Sequence, residues 1–91
     1  MKLVCLKEDK WGEVYDFIAA CGCVAEIRTE RLADRCQHVP GGYRDIIRFD
    51  LFLADVCSAH KEQGWVEGPY DQGLPHDVLR ELGFFKALDA R

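Results

Sequence analysis

Three cysteines and a histidine crowd the stretch CGCVAEIRTERLADRCQH, Cys21 to His38. Cys21, Cys23, Cys36 and His38 read C-x-C…C-x-H, four ligands of the number and type that hold a tetrahedral structural zinc. Their spacing speaks against a shared ion. Zinc ligands usually come in pairs two to four residues apart on a turn, and on a helix Cys36 and His38 point about 200° apart. These four are weak metal candidates, and the expected role of Cys21 and Cys36 is as small apolar core residues. No cofactor is expected, with zinc the one alternative.

Cys57 and His60 lie three residues apart and reach the same side of a predicted helix, which makes them a better chelating or proton-sharing pair than Cys36 and His38. As nucleophile and base they lack an identifiable orienting group or oxyanion hole, and the expected reading is a core cysteine with a histidine at the edge of the same apolar stripe. A redox role for Cys21-Gly22-Cys23 is open. Thiols at the end of a helix nevertheless lack the N-terminal dipole that lowers a thiol's pKa.

The arginines are more orderly. Arg28, Arg31 and Arg35, with His38, fall along one stripe of a predicted helix, suited to a phosphate or an acidic protein surface. With Gly22 in a turn between two helices, the same segment fits the recognition helix of a helix-turn-helix nucleic-acid module. Trp65 and Tyr70, in the Gly-rich stretch GWVEGPYDQGLP, are anchors for a partner or covers for a small core. Asp50 stands on an apolar stripe, where a carboxylate must be paired or mark a site, and a structural pair is the expected reading.

Helices are the elements expected to carry these residues. Asp9 can cap one through KWGEVYDFIAA, where Trp11, Val14, Ile18 and Cys21 recur at helical spacing. A second runs from Ala25 or Thr29 to His38. YRDIIRFDLFLADVCSAHKEQ reads with either period, and its length without a breaker favours a central helix over a strand. Pro75 opens a last helix with Val78, Leu79, Leu82 and Phe85 on its apolar face, and Gly83 can end it early. The expected fold is a mainly α, compact single domain of three to four helices over residues 1–91, with room for a short N-terminal strand at residues 2–7. The alternative is α+β with Arg44–Leu53 as a strand.

At 91 residues the chain has material for one core, and 48% hydrophobic residues are enough to fill it. A net charge of -4 disfavours general nucleic-acid binding. The apolar run in MKLVCLKEDK is too short for a secretory leader or a membrane span, and five cysteines without such a leader read as reduced thiols. The expectation is a small, cytoplasmic, non-enzymatic binding protein. It would be a regulator or inhibitor that occupies a protein partner through Arg28, Arg31, Arg35, Trp65 and Tyr70, with no membrane association. A homodimer through the central helix, which looks apolar nearly all round, is also envisaged. The alternatives are a helix-turn-helix-like nucleic-acid module and a zinc or thiol protein built on Cys21, Cys23 and Cys36.

Overall fold

A computed structural model describes residues 1–35, 43–70 and 75–90. Four strands, β1 (Lys2–Asp9), β2 (Gly12–Ile18), β3 (Val24–Arg35) and β4 (Tyr43–Asp55), follow one another as antiparallel neighbours. The short β5 (Gly68–Pro69) completes a sheet ordered β1-β2-β3-β4-β5. Helices α1 (Ser58–Glu62), α2 (Pro75–Leu82) and α3 (Phe84–Asp89) are the remaining elements. The mainly α bundle is overturned, because the chain is mostly antiparallel sheet.

The period that wins is two. Tyr15 and Phe17 are buried while Asp16 and Ile18 are exposed, Ala25 and Ile27 are buried while Arg28 is exposed, and Leu51 and Leu53 are buried while Asp50 and Phe52 are exposed. Alternation of this kind places one face of the sheet on a core and leaves the other to solvent. Against the buried face pack Val78, Leu79 and Leu82 of α2 and Phe84 of α3. The Phe84 ring meets Tyr15 and Phe17 edge-on, each at 5.7 Å between centroids. Such contacts add roughly 0.5–1.5 kcal/mol beyond area burial.

The helix expected through residues 10–20 is instead the β1–β2 hairpin and its second strand. Asp9 does cap, but it caps a turn. Its Oδ1 accepts from the Trp11 N–H at 2.8 Å and the Gly12 N–H at 3.1 Å, which reverses the chain within two residues. Gly12 then passes so close to β3 that a Cβ there would lie 1.9 Å from the Thr29 carbonyl oxygen. The Arg31 N–H donates to the Trp11 carbonyl at 2.8 Å and fixes this approach.

The central helix is likewise corrected. Residues 43–55 are strand, as in the Arg44–Leu53 alternative, and only Ser58–Glu62 is helical. Length misled because β3 offers an equally long partner, paired from Val24↔Asp55 to Arg35↔Tyr43. With the helix gone, the apolar ring that suggested a homodimer is gone too, since Leu51 faces the core and Phe52 the opposite side. Asp50 is exposed rather than on a buried stripe. Arg48, two residues away and so on the same face, approaches its Oδ1 at 3.7 Å.

The last segment follows its sequence. α2 begins at Pro75, buries Val78, Leu79 and Leu82, and ends before Gly83, whose φ of +81° suits a left-handed cap. Among the described residues no helix is long and apolar enough to cross a membrane.

Candidate metal centre

At one end of the sheet, the β2–β3 turn meets the start of α1. The turn is closed by Ala19 N–H to the Cys23 carbonyl at 2.8 Å and Gly22 N–H to the Ala19 carbonyl at 3.0 Å. Gly22, expected to end a helix, has φ +100° and supplies the turn's left-handed residue. Cys21 is exposed beside it, and Cys23 leads fully buried into β3.

After β4 the chain passes Val56, which is buried, and Cys57 takes an extended conformation as the residue preceding α1. A five-residue helix has too few hydrogen bonds to persist by itself, so its place depends on what holds its ends. His60 lies on its inner side, only 7% exposed. Gly64 turns the chain back, the Trp65 N–H donates to the His60 carbonyl at 3.0 Å, and the indole stacks on the imidazole at 4.1 Å and 18°.

Four ligand atoms converge here. His60 Nδ1 lies 3.0 Å from Cys57 Sγ, 3.3 Å from Cys23 Sγ and 3.6 Å from Cys21 Sγ. All four atoms fall within 4.8 Å of one another. A tetrahedral zinc with bonds of about 2.3 Å to sulfur and 2.0–2.1 Å to nitrogen has S···N edges of roughly 3.5 Å, so the cluster has the size of that shell. Two further contacts resemble the outer layer of a metal site. The Cys57 N–H points at Cys23 Sγ at 3.3 Å, and His60 Nε2 faces Glu81 Oε1 of α2 at 3.7 Å. A carboxylate on the side of the distal ring nitrogen favours the tautomer protonated there, which leaves Nδ1 free to coordinate.

The thiols are poised differently. The His60 backbone N–H, aimed at Cys57 Sγ, holds that thiol down at about 7, so much of it is thiolate near neutral pH. Burial pushes the Cys23 thiol up to about 12, so a cation entering the cluster must displace a proton from it.

The cluster unites residues that the sequence had divided between two readings. Cys21 and Cys23 of the C-x-C pair join Cys57 and His60, the pair recognised as the better chelator. Cys36 and His38 lie outside the described residues. The pattern C-x-C…C-x-x-H was visible, yet helices on both sides of Gly22 gave no reason for its halves to meet.

The arginine stripe does not survive the change of period. In β3, Arg28 and Arg31 point to opposite faces, Arg28 pairing with Glu26 at 3.1 Å and Arg31 with Glu13 at 3.4 Å. Arg35 stands farther along the same strand, in register with Tyr43. The helix-turn-helix geometry has lost both helices, because residues 12–18 and 24–35 are strands. Trp65 covers the cluster. Tyr70 donates its N–H to the Leu51 carbonyl at 2.9 Å and shares with Arg28 an open groove of about 500 Å³, also lined by Glu26, Asp50, Phe52 and Pro69. Comparison with protein-family models, curated proteins and solved structures finds no match for the chain.

Proposed function

We propose that the chain is a small, non-enzymatic binding domain whose one end is stapled by a structural zinc held by Cys21, Cys23, Cys57 and His60. The observation that carries this reading is the convergence of three Sγ atoms and one Nδ1 within 4.8 Å. Three thiolates and an imidazole are a soft donor set that favours zinc over the hard cations magnesium and calcium. With all four positions supplied by the protein, the shell is closed, as structural sites are, whereas catalytic zinc keeps a position for water or substrate. Zinc would supply cross-linking here: the ion would tie the β2–β3 turn to α1, a helix too short for its own hydrogen bonds to secure. Small domains commonly recruit such a staple.

The reduced state of the described cysteines suits a reducing, cytoplasmic setting. The groove shared by Arg28 and Tyr70 is the natural place to test contact with a protein partner. The test of the metal reading is elemental analysis of protein purified without added metal. The expected result is one zinc per chain in the wild type and a large loss in Cys57→Ser and His60→Ala, with Cys5→Ser unchanged. Wild-type protein that neither carries zinc nor takes it up on addition would sink the proposal.

A further inference from the structure

The zinc shell is not equally protected on all sides, and the difference falls on one sulfur. Cys23 is fully buried and His60 nearly so, beneath the Trp65 indole, and Cys57 is half-buried. Cys21 is exposed at the tip of the β2–β3 turn. Beyond Cys21 and Cys23 themselves, no residue comes within 4 Å of where a Cβ on Gly22 would stand, so this side of the turn opens to solvent. A purely structural shell gains nothing from an open thiolate, because exposure is what lets small oxidants reach sulfur.

We propose that the centre is a peroxide-sensitive zinc-release switch, in which Cys21 is oxidised first and Cys57 resolves it as a disulfide. This inference rests on the zinc reading above. In the first step the Cys21 thiolate attacks one oxygen of hydrogen peroxide. The O–O bond breaks, hydroxide leaves, and Cys21 becomes a sulfenic acid, having given two electrons to the peroxide. In the second step the Cys57 thiolate attacks the Cys21 sulfur, an S–S bond forms, and the sulfenic oxygen departs as a second hydroxide. Two thiolates and one peroxide thus yield one disulfide and two hydroxides. The ion keeps only Cys23 and His60 and dissociates. Reduction by a thiol returns both ligands.

Geometry selects Cys57 as the resolving sulfur. It belongs to the group of ligand atoms within 4.8 Å of one another, and it is the more accessible of the two remaining thiols. Cys23 is held in place by the Cys57 N–H, and bonding it to Cys21 would close a very small ring inside the turn whose conformation the Ala19–Cys23 hydrogen bond fixes. Cys5 stands apart on β1, its thiol directed at the Lys7 carbonyl, and serves as an internal control.

The experiment uses the full chain with its zinc content measured first, titrated with hydrogen peroxide while released zinc is read with a chromogenic chelator. The expected result is about one zinc released per peroxide consumed, a Cys21–Cys57 linkage in peptide mapping, and recovery of zinc binding on reduction. In a brief oxidation with a sulfenic-acid trap, the first adduct appears on Cys21. Zinc-loaded Cys21→Ser is expected to release zinc at least about tenfold more slowly than wild type, and Cys5→Ser at the wild-type rate. Should Cys21→Ser hold no zinc, the trapping order in the wild type decides alone. Zinc retained through thiol oxidation, a first adduct on Cys23 or Cys5, or a linkage without Cys21 overturns the switch while leaving the zinc staple intact. A sample that binds no zinc before peroxide is added overturns the staple itself.

Discussion

Removing zinc should lower the melting temperature by an amount that the structure lets one work out. The cluster joins the β2–β3 turn to α1, and of its four residues Cys23 alone belongs to the buried hydrophobic core that β2, β3, β4, α2 and α3 otherwise form. The metal-free chain is therefore expected to keep its sheet but to lose a constraint at one end. Structural zinc centres bind with an apparent free energy of roughly 10–16 kcal/mol near neutral pH. The buried Cys23 thiol must give up a proton to bind, which argues for the lower part of that range, about 12 kcal/mol or a nanomolar Kd. At a free zinc concentration about a hundredfold above Kd, linkage then adds about 2.7 kcal/mol to the folded state. For a domain of this length each kcal/mol moves Tm by about 4–8 °C, so the shift should be about 10–20 °C. Thermal melts followed by circular dichroism, in zinc buffer and in a strong chelator, measure it directly. Cys57→Ser should melt near the chelated wild type and show little response to zinc. Wild-type melts that superimpose in zinc and in chelator would show that no zinc staple stabilises this end of the sheet.

Other consequences are sharper and more local. Gly12→Ala places a methyl group where the Thr29 carbonyl oxygen already stands, 1.9 Å away, so strand separation or backbone shift is unavoidable. The expected loss is about 1–3 kcal/mol by denaturant titration, whereas Gly64→Ala meets open space and carries only the strain of its φ of +95°, about 1 kcal/mol. Phe84→Ala, which empties the pocket between Tyr15 and Phe17, should cost about 3–5 kcal/mol. In zinc-free protein, alkylation of Cys57 should reach half its limiting rate near pH 7, its value being held at about 7, while Cys23, pushed up to about 12, should resist well above that pH. The signs for stability oppose each other. The Cys57 contribution is present above the ordinary thiol value and is lost as pH falls through 7, whereas that of Cys23 is full below the ordinary value and is lost as pH rises toward 12. Alkylation of Cys23 as fast as Cys57 near neutral pH would contradict the geometry.

The sequence held fragments of both the cluster and the fold without showing how they join. Cys57 and His60 could be paired from their spacing alone, and Pro75, Val78, Leu79, Leu82 and Gly83 announced α2 with its ends. The N-terminal half defeated pattern reading because two periods fit the same residues. Trp11, Val14 and Ile18 recur at helical spacing, yet Tyr15 and Phe17 are the residues that the core takes up, and Trp11 and Ile18 stay exposed. Propensity within such a window is a weak prior, and pairing with a distant strand overrides it. Asp9 illustrates the point: the same side-chain oxygen can cap a helix or close an Asx turn, and only the strand beside it decides. That the Cys21–Cys23 and Cys57–His60 halves of the cluster meet was invisible for a related reason. Cys21 and His60 are 39 positions apart, and what brings them together is the antiparallel return of β4 along β3, a contact that no local periodicity records.

X-ray absorption at the zinc edge counts the donor atoms themselves. A zinc held by Cys21, Cys23, Cys57 and His60 is expected to show a four-coordinate shell of three sulfurs at about 2.3 Å and one nitrogen at about 2.0–2.1 Å, with one sulfur lost in Cys57→Ser and the nitrogen lost in His60→Ala. A shell dominated by oxygen, or one whose sulfur count is unchanged by Cys57→Ser, would contradict it.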